Sequence, residues 1–253
     1  MNEQTESFVS HLVELRDRLL RAVVAVIIVF VCLMPWAADI YDLLARPLMI
    51  ALPEGTKMIA TGVVTPFFVP VKVTLMLAFL IALPVVLYQA WAFVAPGLYA
   101  HERRLGLPLV IASTLLFMTG MAFCYFLVFG VVFQFIAEFA PKSITPAPDI
   151  EQYLSFVLTM FTAFGVTFEV PVVVIVLVRF GIVTLKQLRE ARPYVIVGAF
   201  VIAAIVTPPD VVSQLLLAIP LCLLYELGIV LSRFIRTSPE RAAKSSENIS
   251  ENA

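Results

Sequence analysis

Of the 253 residues, 61 % are apolar and only 14 % are charged, with a mean hydropathy of +1.00. Soluble domains run at about 45–50 % apolar and about 25 % charged, so neither an ordinary water-soluble globule nor a disordered chain fits. Lys and Arg number 17 against 18 Asp and Glu, a net charge of −1, which excludes the basic face that nucleic-acid binding requires.

The N-terminal tail, residues 1–18, reads as a cytoplasmic amphipathic helix. Phe8, Leu12, Leu15 and Leu19 recur at helical spacing, and Glu14–Arg18 and Asp17–Arg21 are i,i+4 pairs. An apolar run over about 19–38 then has the length of a membrane span. It is too long for the core of a cleaved signal peptide and ends in Pro35-Trp36-Ala37-Ala38-Asp39, without the small-residue cleavage pattern. The connection over 39–68 is external. It is expected to hold a short helix (Ile40, Tyr41, Leu43, Leu44) ended by Pro47, then a turn at Pro53-Glu54-Gly55.

A second span covers about 69–94, with Pro84 inside it. Tyr88 to Arg104 follows, rich in aromatic residues. A belt of interfacial aromatics and cytoplasmic cations accounts for Trp91, Tyr99, Arg103 and Arg104, but not for the carboxylate of Glu102 beside them. His101-Glu102 is not a zinc-protease motif, because Leu105 stands where the second histidine is needed. The third span covers about 107–135 and the fourth about 153–180. The fourth carries Glu169, and Pro171 beyond it deprives the Thr167 carbonyl of its helical donor. A carboxyl at membrane depth reads two ways, as a functional polar site or as a protonated group bonded between helices.

The fifth apolar run, 194–206, has 13 residues and reaches only about 20 Å. The turn Thr207-Pro208-Pro209-Asp210 and a sixth run over 211–231 follow. Thirteen of the 17 basic residues fall in residues 1–21, 95–106, 179–193 and 232–253, and three in the remaining connections. A re-entrant pair would keep the same sidedness, but it must be shielded by protein and both arms read as continuous helix. The expectation is therefore an all-α integral membrane protein with six spans, N-in and C-in, the last two short. Residues 19–236 form the membrane domain and 237–253 a disordered cytoplasmic tail.

Cys32, Cys124 and Cys222 are too scattered to hold a metal or build a disulfide framework. The chain has no phosphate-binding loop, nucleophile elbow or aspartate pair, so no enzyme activity, metal or cofactor is expected.

These motifs together resemble the TatC family, the multispanning subunit of the twin-arginine protein translocase. The resemblance rests on His11-Leu12-x-Glu14-Leu15-Arg16, Trp91-x-Phe93-x-x-Pro96-x-Leu98, His101-Glu102-Arg103-Arg104, Phe164-Gly165-x-x-Phe168-Glu169-x-Pro171, Arg192-Pro193-Tyr194 and Thr207-Pro208-Pro209-Asp210, in that order. It implies a receptor in the bacterial cytoplasmic membrane for signal peptides bearing an Arg-Arg pair, moving folded proteins at the expense of the proton gradient. Implied partners are single-span TatB-like and TatA-like subunits, further copies of the chain, and membrane lipid. Glu14, Arg16, Phe93, Glu102 and Arg104 would form the signal-binding patch, because carboxylates select a planar guanidinium by a two-pronged contact. Glu169, Thr207 and Gln214 would be intramembrane polar sites for partner helices, and Pro47 and Asp210 would shape the periplasmic side. The competing class is an ion-coupled secondary transporter with Glu169 as proton carrier, against which stands the lack of repeated halves.

Overall fold

The computed structural model describes residues 3–52, 57–94, 106–139, 141, 147–207 and 210–234. The described residues are helical, apart from connections and one isolated bridge between Ile59 and Asp149. In chain order the helices are α1 (Glu3–Leu33), α2 (Ala37–Ala51), α3 (Thr65–Val94), α4 (Gly106–Phe123), α5 (Phe129–Phe139), α6 (Ile150–Arg179), α7 (Leu185–Glu190), α8 (Arg192–Val206) and α9 (Val211–Ser232). They divide between two compact units, Met1–Met118 with Tyr125–Leu158, and Thr119–Cys124 with Thr159–Ala253.

In the first unit, the amphipathic tail and the first apolar run are one continuous helix, α1. It stops earlier than the expected 38, because Pro35 restrains the preceding residue and Met34–Trp36 turn in a short 3-10 segment. Past Leu12 the helix packs along α3 and otherwise presents exposed aliphatic side chains, with Ala22 buried.

α2 departs from expectation: it does not end at Pro47 but continues through it to Ala51. Proline lacks an N–H, so the Leu43 carbonyl four residues earlier loses its helical donor. The Tyr125 hydroxyl donates to that carbonyl at 2.8 Å, and the Tyr153 hydroxyl donates to the adjacent Leu44 carbonyl at 2.7 Å. The Tyr125 side chain thus replaces the missing backbone donor, and Leu44, Ala45 and Leu48 form the buried face.

Tyr125 lies in a π-helical turn, Cys124–Val128, that joins α4 to α5. Such a turn admits an extra residue and shifts the faces on either side of it. Beyond it, Phe129 and Phe133 stack at 5.5 Å, and Phe133 packs against Tyr153 and Phe156 of α6 at 5.9 and 5.7 Å.

Asp149 caps α6. One carboxylate oxygen accepts from the Glu151 and Gln152 amides at 2.9 and 3.1 Å, and the other from the Thr61 amide and hydroxyl at 3.1 and 2.8 Å. These donors, the Gln152 amide foremost, hold its carboxyl below the usual aspartate range. Lys72 on α3 pairs with Glu151 at 3.3 Å. The segment before α3 is thereby fastened to the start of α6.

In the second unit, Gly120 on α4 lets that helix approach α6: a Cβ there would lie 2.6 Å from the Phe164 carbonyl oxygen and 2.8 Å from the Phe168 ring. Gly228 does the same for α9, where a Cβ would sit 3.0 Å from Pro171 Cα and Val174 Cβ. α6 ends in a Schellman motif. Gly181 takes φ 65°, its amide donates to Val178, and the Ile182 amide donates to Leu177. Thr184 then opens α7 with a capping box: the Gln187 amide donates to its hydroxyl at 3.2 Å, and its own amide donates to the Gln187 side chain at 2.8 Å. Val174, Val178, Leu188, Tyr225 and Ile229 close a core between α6, α7 and α9.

Five helical stretches are long and apolar enough to cross a membrane: Leu12–Ala51, Thr65–Phe93, Leu107–Phe139, Ile150–Arg179 and Val211–Ser232. Arg192–Val206 is a shorter apolar helix, about 22 Å long against a hydrocarbon core of about 30 Å.

Candidate functional site

The residues singled out in the sequence fall into three places. The first is the end of α1 and α3 remote from their connection. Glu14 lies 19 residues before Leu33, and Phe93 lies 28 residues after Thr65. At about 1.5 Å per residue both stand about 30–40 Å from the connection between the helices. Since α1 and α3 pack together, chain geometry brings a carboxylate and an aromatic ring to the same end of the first unit.

Glu14 accepts from the guanidinium of Arg18, with Nε 3.1 Å from Oε1. The pair is about a third or less exposed on either side. The second expected pair does not form. Asp17 is taken by its neighbour Arg16, whose Nη2 lies 2.8 Å from Oδ1, rather than by Arg21 one turn later. Phe93 is half-buried. Glu102 and Arg104, with His101 and Arg103, lie outside the described residues.

The second place is the middle of α6. Glu169 is half-buried, between buried Thr167 and buried Pro171. The segment around it is fixed on two sides within the second unit. Phe164 and Phe168 meet Phe123 at 5.8 and 5.7 Å between ring centroids, and Gly228 admits α9 against Pro171.

The third place is the turn between α8 and α9. α8 ends where Thr207 turns extended, with its amide and hydroxyl both donating to the Ala203 carbonyl at 2.8 Å. Asp210 is the N-cap of α9, accepting from the Ser213 amide at 2.6 Å. The Gln214 side-chain amide crosses back to the Phe200 carbonyl at 3.2 Å. Thr207, Asp210 and Gln214 are thus brought together at one end of the α8–α9 hairpin; Pro208 and Pro209 lie outside the described residues.

Sequence reasoning missed several structural residues. Tyr125 answers Pro47 from a distant turn, and Tyr153 fastens the neighbouring carbonyl, which no local pattern announces. Asp149 and the Thr184–Gln187 box carry ordinary capping signals and were legible. Glu226 pairs with Arg192 at 2.7 Å, and the Tyr225 hydroxyl donates to the Leu188 carbonyl at 2.8 Å, which ties the start of α8 to the end of α9. Among the described residues, no group of three or more His, Cys, Asp or Glu side chains is placed to hold a metal ion.

Helices of this length and apolarity, with isolated polar residues at depth, define an all-α multispanning membrane protein. The sequence profile described as Sec-independent protein translocase protein (TatC) matches residues 10–220. The Escherichia coli K12 protein of that name is 53 % identical over 232 residues, 92 % of this chain and 90 % of its own. The Haemophilus influenzae protein is 50 % identical over 249 residues, 98 % of this chain and 97 % of its own. Two crystal structures described as twin arginine translocase receptor TatC, one of them in the detergent DDM, superpose with TM-scores of 0.76 and 0.78. Each is 42 % identical and covers 88 % of this chain, with 98 and 99 % of the solved chains covered. The chain belongs to the TatC family, and its place is in the membrane.

Proposed function

We propose that the chain is the signal-reading subunit of a twin-arginine translocase in the bacterial cytoplasmic membrane, passing folded cargo outward on the proton gradient. The observation that carries the reading is the Glu14 carboxylate on α1, already in contact with a guanidinium, at the same end of the unit as Phe93. Arg18 occupies Glu14 as one arginine of a signal peptide would. Glu102, with Glu14, supplies the carboxylates for an Arg-Arg pair, flanked by Arg16 and Arg104, and Phe93 meets the apolar part of the peptide. Glu169, Thr207 and Gln214 meet the single helices of TatB-like and TatA-like subunits, several copies of the chain assembling in the complex. Pro47 and Asp210 shape the outer side. The spans number six, with both termini inside and α8 the short fifth.

The test is equilibrium binding of a fluorescent signal peptide to the purified protein in detergent. Glu14→Gln and Glu102→Gln each remove a bond to a charged group, worth about 1.5–3 kcal/mol, which weakens an Arg-Arg peptide roughly 10- to 100-fold. A Lys-Lys peptide, bound less well at the outset, loses less. Parent-like binding of the Arg-Arg peptide by both variants would reject the carboxylate patch. For the topology, a cysteine at exposed Val211 in an otherwise Cys-free chain should react with an impermeant reagent added outside the cell; labelling from the cytoplasm alone rejects six spans.

A further inference from the structure

The end of the second unit where α6 stops, α7 folds and α9 finishes carries more positive charge than its carboxylates balance. Lys186 faces Glu190 at 4.0 Å and Arg192 faces Glu226 at 2.7 Å. Arg179, Arg189 and Arg233 have no carboxylate within ion-pair distance among the described residues. The packing beneath them sets all three at the same end of the unit. Val178 precedes Arg179, Leu188 precedes Arg189, Ile229 lies one turn before Arg233, and these three apolar residues share one core. The Nε of Arg179 is covered by protein without an acceptor, so this guanidinium has only its two terminal nitrogens to offer a ligand.

The same end exposes apolar surface. Ile182 is 64 % exposed, Tyr194 79 % and Phe234 82 %. Cations alternating with exposed aliphatic and aromatic side chains at the ends of spanning helices match a lipid in both its parts. A free anion would use the cations and leave the apolar side chains idle.

We propose that this collar binds the phosphodiester of an anionic phospholipid, with Arg179, Arg189 and Arg233 around the headgroup and the acyl chains along Ile182, Tyr194 and Phe234. Arg189 and Arg233 are exposed at helix ends, and Arg179 is half-buried in the last turn of α6, so replacing the first two should leave the fold intact. The site shares no residue with the proposed signal-reading patch and does not depend on its role.

The experiment is native mass spectrometry of the full-length protein from detergent, titrated with phosphatidylglycerol or phosphatidylcholine, with inorganic phosphate titrated separately by calorimetry. The parent should retain phosphatidylglycerol in preference to phosphatidylcholine and show no phosphate binding. At about 1 kcal/mol for each cation near an anionic headgroup, Arg179→Gln should weaken phosphatidylglycerol about 5-fold and the triple variant with Arg189→Gln and Arg233→Gln roughly 100-fold. Lys57→Gln, in the connection before α3, should change nothing. Equal phosphatidylglycerol affinity in parent and triple variant overturns the site; so does equal retention of the two lipids. Phosphate binding by the parent that the triple variant loses, without preference for phosphatidylglycerol, overturns the lipid assignment. If the triple variant does not fold, the fivefold effect of Arg179→Gln decides.

Discussion

The Tyr125 hydroxyl donates at 2.8 Å to the Leu43 carbonyl, the one backbone acceptor that Pro47 strips of its helical donor. Tyr125→Phe keeps the ring and leaves that acceptor unmatched, which costs about 1–3 kcal/mol. Pro47→Ala returns a backbone N–H to the same carbonyl. Melting of the purified protein should therefore show Tyr125→Phe as clearly destabilising in the parent and nearly silent in the Pro47→Ala background. Equal losses in both backgrounds would show that the hydroxyl does not serve the proline.

Two glycines of one continuous span differ in what surrounds them. A Cβ at Gly120 meets the Phe164 carbonyl oxygen at 2.6 Å, whereas one at Gly130 meets nothing within 4 Å. Gly120→Ala must push α4 from α6 and should cost about 1–3 kcal/mol, as overpacking does. Gly130→Ala should be neutral or gain about 0.5–1 kcal/mol from the stiffer backbone. Thermal unfolding of the two variants side by side checks the contrast.

Asp149 titrates below the usual aspartate range because the Gln152 amide, then the Thr61 hydroxyl, favour its charged form. A depressed carboxyl stabilises the fold at every pH above its unfolded value of about 3.9 and loses that contribution as pH falls through the folded value. Asp149→Asn should melt below the parent at pH 7. The gap should close on acidification below about pH 4, as the parent's own carboxyl takes up its proton. A gap that stays constant down to pH 2.5 would assign the effect to shape rather than charge.

Arg18 holds the carboxylate that the proposed receptor needs for its ligand. Pairs four residues apart on a helix are worth about 0.3–0.5 kcal/mol, so Arg18→Gln should tighten an Arg-Arg signal peptide about twofold, and only while Glu14 is present. The same substitution in a Glu14→Gln background should do nothing.

Much of this protein was legible in its sequence because a bilayer sets strict demands on length and apolarity. The runs that became α3, α6 and α9 are displaced from their expected limits by a few residues. The shortness of α8 is legible too, whereas the capping of α9 by Asp210 is not among the expectations. What failed was long-range. The local rule makes Pro47 a helix stop, whereas the Tyr125 hydroxyl, from a distant turn, supplies the donor that the proline removes. Asp17 was paired by spacing with Arg21, but its neighbour Arg16 bends across instead. Neither the π turn at Cys124–Val128 nor the close approach at Gly228 leaves a periodic trace, since both are consequences of what packs opposite.

The 15 residues of α8 also constrain how the chain enters the bilayer during synthesis. A helix about 22 Å long leaves several ångströms of hydrocarbon unspanned, so it has little hold on the membrane when it first emerges from the ribosome. Its neighbour supplies the hold. α9 is 22 residues long, and Gln214 and the Arg192–Glu226 pair tie it to α8 near both ends. With six spans, as proposed above, the two insert as one hairpin, with α8 lodged only after α9 has been made. A ribosome-bound chain stopped when Asp210 has just cleared the ribosome should have α8 still open to a cytoplasmic reagent, and one stopped after Arg233 has cleared it should have α8 protected; protection in the shorter chain would show that α8 enters unaided.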